Sequence, residues 1–159
     1  MPELANTNAR IVVDRLRAWK SEAVSQVVEH RGETTIVVPH KLLRATASQC
    51  KEHPELAFNM LSDATCVDRF PAEPRFELNY QLLSISRSAR IRLRTTISGQ
   101  QAVVDSLEPV WSGANWMERE IFDLFGIRFE GHTDLRRILL PDEFQGAPLR
   151  RDYPVEGPR

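Results

Sequence analysis

The sequence predicts an α+β fold, a two-layer sandwich in which helices cover a mixed β-sheet of about five strands. Segments with alternating or β-branched patterns follow one another as hairpins, and segments with helical spacing lie between and around them. The predicted order is helix, two strands, helix, three strands, helix, followed by an irregular C-terminal tail. Sequential strands usually lie side by side in a sheet, so this order favours one sheet with its helices in a second layer.

The first part of the chain accounts for two helices and two strands. Residues 8–20 carry apolar side chains at helical spacing. Residues 23–29 and 34–38 are rich in β-branched residues and are separated by a glycine turn, which predicts a hairpin. Residues 39–53 open with a proline, which suits a first helical turn, and predict the second helix.

The middle of the chain predicts the remaining strands. Residues 56–61 are ambiguous, and residues 66–70 predict a short strand. In residues 76–82 apolar and polar side chains alternate, and in residues 90–95 apolar or threonine side chains alternate with arginines. The serine-rich turn at residues 86–88 joins these two strands.

The last third predicts a helix and a tail. Residues 107–111 predict a short helical piece and residues 113–125 a stronger helix. Gly126 is expected to end that helix, because glycine adopts a positive φ at low cost. We therefore expect an α+β domain at residues 1–126 and an extended docking tail at residues 127–159.

Composition narrows the class of protein. With 159 residues, 42% of them apolar, and a formal net charge of −1, the chain suits one soluble domain rather than a basic nucleic-acid binder. Its two cysteines, Cys50 and Cys66, are too few for a disulfide scaffold or a cysteine-ligated iron–sulfur cluster. The N-terminus lacks a secretory signal pattern, and no apolar run approaches the roughly 18 residues of a membrane-spanning helix.

Four charged residues lie within the otherwise apolar helix at 113–125: Glu118, Arg119, Glu120 and Asp123. On an ideal helical wheel Arg119 and Asp123 form an i,i+4 pair, worth only about 0.2–0.5 kcal/mol, whereas both glutamates interrupt the apolar surface. A carboxylate held among aromatic rings needs a cation or hydrogen-bond donors, or its pKa rises. Either an arginine-bearing tail folds back or another protein supplies the charge, and the candidate arginines are Arg128, Arg136, Arg137, Arg150 and Arg151.

This segment closely resembles the signature of one family, the C subunits of the proton-translocating NADH:quinone oxidoreductases (respiratory complex I). The signature reads Glu-Arg-Glu, two residues, an acid, two apolar residues, six residues, a histidine or lysine, then a basic residue and an apolar pair. Every spacing is kept here, in Glu118, Arg119, Glu120, Asp123, Leu124, Phe125, His132, Arg136, Ile138 and Leu139. The flank at residues 146–154 fits as well.

The resemblance implies a non-catalytic component of the peripheral arm, placed at the cytoplasmic side of the cell inner membrane against the D subunit and near the iron–sulfur subunits. It implies that the chain binds no flavin, iron–sulfur cluster or quinone, and helps to assemble the quinone-reducing module of a complex that couples NADH-to-quinone electron transfer to proton translocation. Related membrane-bound hydrogenases and other quinone or methanophenazine reductases use similar subunits, so these remain alternatives. The residues expected to fix the tail and dock the neighbour are Glu118, Arg119, Glu120, Asp123, Gly126, His132, Asp134, Arg136, Arg137, Arg150, Arg151 and Asp152.

Two other functions compete with this interpretation. A stand-alone hydrolase could use Glu118 or Glu120 with His132 for general acid–base work, although no nucleophile or oxyanion hole accompanies them. A nucleic-acid module could use the arginine stripe of residues 87–94, although no aromatic residues interleave with it.

Overall fold

The computed structural model describes residues 7–156. Its α-helices are α1 (Thr7–Trp19), α2 (Leu43–Glu52) and α3 (Ala114–Phe125), with short 3₁₀ turns at Ser21–Ala23 and His40–Leu42. Its strands are β1 (Gln26–His30), β2 (Glu33–Val37), β3 (Met60–Asp68), β4 (Phe76–Ser84), β5 (Ala89–Ile97), β6 (Val103–Asp105) and β7 (Arg128–Glu130). The predicted order of helices and strands is confirmed, and so is the α+β class.

Five strands form one mixed sheet in the order β1-β2-β5-β4-β3. The pairs β1–β2, β3–β4 and β4–β5 are antiparallel hairpins, whereas β2 and β5 run parallel. A parallel pair needs a long crossover, and α2 lies within the segment that connects β2 with the rest of the sheet. Strands β6 and β7 form a separate parallel pair that flanks α3 in sequence.

The helices and one face of the sheet share a single buried core. Strand β5 alternates as predicted, with Ile91 and Leu93 fully buried and Arg92 and Arg94 on the opposite face. On that opposite face Arg92 bonds to Glu33 and Arg94 to Glu77, at 2.6 and 3.2 Å. Because acids of the same sheet face neutralise two arginines of the stripe, the structure disfavours the nucleic-acid alternative.

Two local predictions were wrong, and two short strands were not predicted. Strand β3 spans nine residues, Met60–Asp68, instead of the short strand at residues 66–70. It lies at the edge of the sheet and its register shifts between Leu61 and Asp63, so the bulge breaks the alternation that the sequence would otherwise show. Residues 107–111 form one hydrogen-bonded turn on the Leu107 carbonyl rather than a helix. The three-residue strands β6 and β7 are too short to produce a periodic signal.

Two features bear on the class of protein. No helix within residues 7–156 is long and apolar enough to cross a lipid bilayer. Cys50 and Cys66 are both free, and burial raises the pKa of each thiol to about 12, which disfavours the reactive thiolate form.

Candidate interaction site on helix α3 and the C-terminal tail

Helix α3 ends where the sequence predicts. Gly126 has φ 68°, in the left-handed region, and its N–H donates to the Phe122 carbonyl at 2.8 Å. Arg150 approaches from the tail and donates from Nε to the carbonyl of Phe125 at 2.6 Å. A cation at the helix C-terminus meets the negative end of the helix dipole, so this contact both ends the helix and holds the tail.

Asp123 is the residue of α3 that binds the tail most extensively. Its side chain is fully buried, and Oδ1 accepts from Nη1 of Arg137 at 2.5 Å. Its Oδ2 accepts from three successive backbone N–H groups, those of Ile138, Leu139 and Leu140, at 3.0, 2.7 and 2.9 Å. Burial alone would raise the pKa of Asp123, but the hydrogen bonds from the three N–H groups and from Arg137 lower it to about 2.

Arg137 and Arg119 extend this contact. Arg137 also donates from Nη2 to the carbonyls of Phe144 and Gly146, so it ties two parts of the tail to α3. Arg119 is buried, and it donates from Nε and Nη2 to the carbonyls of Arg136 and Arg137 at 3.1 and 3.2 Å. The predicted surface pair of Arg119 with Asp123 is therefore wrong, because the tail covers this side of the helix and gives each residue its own partners.

A second set of charges holds the end of the tail against the sheet. Arg75, just before β4, donates to both carboxylate oxygens of Asp68, and its Nη2 lies 2.6 Å from an oxygen of Asp152. Asp68 also accepts from the backbone N–H of Arg151 at 2.9 Å. Burial would raise the pKa of Asp68, but the hydrogen bonds from Arg75 and the Arg151 N–H lower it to about 2. We call Asp68, Arg75 and Asp152 the sheet clamp.

Sequence reasoning missed Asp68 and Arg75. A usable signal existed, because the prolines between residues 70 and 75 predict a turn, and a turn there places the residues before and after it side by side. The register confirms this, since Asp68 pairs with Phe76 across β3 and β4. Asp68 and Arg75 lie at the two ends of one hairpin, so the pairing of β3 with β4 alone is enough to make them neighbours.

Glu118 does not meet an arginine of the tail, which corrects one prediction. Its side chain is fully buried, and its two carboxylate oxygens accept from Ser106 Oγ and from the backbone N–H of Leu107, both at 2.6 Å. The pKa of Glu118 is raised to about 7, because burial, together with the negative charge of Glu108, outweighs these hydrogen bonds and the charge of Arg44. The loop before α3 comes close to the helix and supplies the donors locally, so the tail is not needed there.

The side chain of His132 is buried at the start of the tail. Its Nδ1 accepts from the Asp134 N–H at 3.0 Å. Its Nε2, which lies 3.1 Å from the Asn115 carbonyl oxygen, is therefore the nitrogen that donates. Glu108 fixes the same loop by accepting from the N–H and hydroxyl of Thr133 at 2.8 and 2.7 Å. Burial would raise the pKa of Glu108, but these bonds lower it to about 2. Sequence reasoning missed Glu108, which lies in the turn preceding α3.

The remaining predicted site residues face outward. Arg136 forms an ion pair with Asp134 at 2.9 Å, and both side chains are exposed. Glu120 and Arg151 are exposed too. The structure thus separates buried residues such as Asp123 and Arg119, which bind the tail to α3, from exposed residues such as Glu120 and Arg136, which other molecules can reach.

Comparison with known proteins places this arrangement in a family. The family model for the respiratory-chain NADH dehydrogenase, 30 kDa subunit, matches residues 36–159, which include α3, the tail and both sets of charges. The chain belongs to this family. The C subunit of the NADH-quinone oxidoreductase of Geotalea uraniireducens (strain Rf4) is 39% identical over 158 residues, which cover 99% of this chain and 94% of that protein.

Solved structures agree. The trypsin-resistant fragment of Nqo5 aligns with a TM-score of 0.68 and 26% identity, over 81% of this chain and 100% of that one. A chain of the membrane-bound sulfane sulfur reductase, an archaeal respiratory membrane complex, has the same fold, with a TM-score of 0.76 and 22% identity over 92% of this chain and 85% of that one. The family predicted from the Glu-Arg-Glu signature is confirmed, and the chain belongs to a multisubunit respiratory complex.

Proposed function

We propose that the chain is a non-catalytic component of the peripheral arm, which docks against the D subunit and is needed to assemble the quinone-reducing module. Neighbouring iron–sulfur subunits would complete its surroundings, at the cytoplasmic side of the cell inner membrane. Flavin, iron–sulfur clusters and quinone would be bound by those partners and not by this chain. The separation into a domain at residues 1–126 and a docking tail at residues 127–159 is part of the same proposal.

The observation that carries the proposal is the use of the buried charges. Asp123, Arg137 and the sheet clamp bind the tail to the rest of the chain, so the conspicuous charged motif stabilises one shape. Within residues 7–156 there is no group of three histidine, cysteine or acidic side chains that could hold a metal ion. Because these charged side chains are paired within the chain, they hold one surface in a fixed shape. Such a surface is suitable for binding by other subunits.

A related respiratory complex is the second candidate. The sulfane sulfur reductase chain shares the fold over most of this chain, so the same shape occurs in a complex described by a different reaction. Three curated relatives that are 39–40% identical to this chain are named as NADH-quinone oxidoreductase components, and this favours NADH as the electron donor.

The geometry disfavours the hydrolase alternative. Glu118 and the side chain of His132 are both fully buried, and both nitrogens of His132 already bond to the backbone. Glu120 is exposed, and on an ideal helix it lies about 160° away from Glu118. A substrate would therefore have no common access to these three groups.

The test uses a strain that carries the affinity-tagged chain at its own chromosomal position. Membranes are solubilised mildly, the purified complex is quantified, and its components are identified by mass spectrometry. We expect the D subunit and iron–sulfur subunits to co-purify, and we expect Arg136→Ala and Glu120→Ala to lower the amount of complex. Both side chains are exposed, so these variants keep the fold of the chain itself. Arg90→Ala, an exposed arginine on the sheet face opposite the core, is the control.

Two readouts separate assembly from chemistry. The NADH:quinone activity per assembled complex and the midpoint potentials of the iron–sulfur clusters should match the wild type in every variant. A variant that assembles fully but loses electron transfer would contradict the proposal and point to a direct role in the reaction.

A further inference from the structure

Helix α3 exposes a large tryptophan on the side that faces away from the core. Trp116 is 62% exposed, and the Arg119 guanidinium lies 5.2 Å from its ring centroid. Arg119 is itself fixed by two tail carbonyls, so the ring rests on an ordered cation. An exposed tryptophan that is held in place needs little further ordering when it binds, and tryptophan is among the residue types most enriched at the energetically dominant positions of interfaces.

Two leucines of the tail are exposed beside the C-terminal end of the same helix. Leu139 is 60% exposed, and its N–H bonds to Asp123, which lies next to Trp116 on the helical wheel. Leu149 is 52% exposed, and its N–H donates to the Leu124 carbonyl at 3.1 Å. The backbone N–H of each leucine is thus fixed at the C-terminal end of α3, about two turns beyond Trp116. We call Trp116, Leu124, Leu139 and Leu149, with Glu120 among them, the α3 patch.

Glu120 indicates what covers the α3 patch. It lies one helical turn after Trp116 and one before Leu124, and of these three residues it alone is charged. Its carboxylate is exposed, unlike Glu118 and Asp123, which are buried and bonded within the chain. An anionic membrane surface would repel this carboxylate, whereas a protein surface with one arginine or lysine would pair with it.

We propose that the α3 patch is the hydrophobic centre of the interface with one partner protein of the complex, whose surface is apolar and carries an arginine or lysine opposite Glu120. This deepens the proposed function and rests on it. The tail contacts then have a defined role. Asp123 holds Leu139, and Arg119 holds Trp116, in position before the partner binds. A preorganised surface loses less conformational entropy on binding, so the internal contacts strengthen an interface that they do not themselves touch.

The first experiment locates the partner. A photo-crosslinking amino acid is placed at Leu139 or at Leu149 in the tagged chain within the native complex, and crosslinked peptides are sequenced. Ile85, 63% exposed on the hairpin between β4 and β5, provides a matched control position. We expect both patch positions to crosslink to the same partner protein, in peptides that lie next to an arginine or lysine. Ile85 should not reach that site.

The second experiment measures the energetic role. Trp116→Ala and Leu139→Ser should each lower the recovered complex roughly tenfold or more, as truncation of a central interface residue does. Ile85→Ser should leave it unchanged. The isolated variants should melt within a few degrees of the wild type, because the altered side chains are mostly exposed and the Leu139 N–H is retained.

The outcomes separate this proposal from the one it rests on. If the chain assembles but neither patch position crosslinks to a partner, the α3 patch faces water and this inference is wrong while the assembly role stands. Crosslinks between two copies of the chain, or to lipid, would also overturn it. If the wild-type chain co-purifies with no other protein, both proposals fail.

Discussion

Helix α3 contains two fully buried carboxylates with opposite acid–base behaviour. The pKa of Asp123, near the end of the helix, is lowered to about 2, whereas the pKa of Glu118, near its beginning, is raised to about 7. Burial acts in the same direction on both, because removing water disfavours the charged form. The difference therefore arises from what each end of the helix supplies to its acid.

Asp123 receives one arginine and three backbone N–H groups, while Glu118 receives one hydroxyl and one backbone N–H. The next acid along the loop, Glu108, raises the pKa of Glu118 further. Across the core, the hydroxyl of Tyr80 is buried with no hydrogen-bond partner among the described residues, and burial followed by the charge of Glu118 raises its pKa. The C-terminal end of α3 therefore stabilises the ionised form of Asp123, whereas ionising Glu118 near the N-terminal end lowers the stability of the fold.

Removing Asp123 should produce the largest effect. Asp123→Ala removes the carboxylate that accepts from Arg137 and from three backbone N–H groups, and breaking a buried ion pair in this way costs about 3–5 kcal/mol. Denaturant unfolding of the isolated chain measures this loss. Glu120→Ala, an exposed acid on the same helix, is the matched control and should stay within about 0.5 kcal/mol. If Asp123→Ala lowers the free energy of unfolding no more than Glu120→Ala does, the contact between Asp123 and the tail contributes nothing to stability.

Glu118→Gln should act in the opposite direction and stabilise the chain at alkaline pH. Between the ordinary pKa of 4.5 and the folded value of about 7, the folded chain holds a proton that the unfolded chain has lost. Stability therefore falls as pH rises through this window, by about 3 kcal/mol, and stays lower above it. The variant should gain about that much at pH 8 and little at pH 4. A variant less stable than the wild type at pH 8 would show that the charged form of Glu118 is favoured in the fold.

On the acid side the comparison predicts a second window. The folded pKa of Asp123 lies below its ordinary value of 3.8, so the stability it provides is present above that pH and is lost as pH falls toward 2. The expected loss is about 2 kcal/mol. Asp68 titrates in the same window, so Asp123→Asn should flatten the acid-side fall without abolishing it. An unchanged slope below pH 4 would show that Asp123 is already protonated in the folded chain.

The contrast between the two acids also marks the limit of prediction from sequence. The order of elements and the helix end at Gly126 were predictable, because they depend on local periodicity and on one backbone conformation. That Glu118 needs donors was predictable as well, whereas Asp123 was expected to pair with Arg119 along the helix. The identity of the donors was not predictable, since Ser106 and Leu107 reach Glu118 through a loop whose path depends on tertiary packing. Strand β3 escaped prediction for a related reason, because its bulge shifts the alternation at an exposed sheet edge.

The smallest change in the free energy of unfolding is expected at the sheet clamp. There two carboxylates that bond to the same arginine differ in solvent exposure. Asp68 and Asp152 both bond to Arg75, but the side chain of Asp68 is buried and that of Asp152 is 41% exposed. Exposed ion pairs contribute about 0–1 kcal/mol, so Asp152→Asn should change the free energy of unfolding by less than about 1 kcal/mol. Asp68→Asn should cost clearly more, because it removes one of Arg75's acceptors and the acceptor of the Arg151 N–H. Hydrogen exchange of the Tyr153 N–H, which bonds to the Arg150 carbonyl, reports whether the tail end loosens even when global stability hardly changes. Equal losses for the two variants would mean that burial does not decide the strength of these contacts, at Asp123 as well as at the sheet clamp.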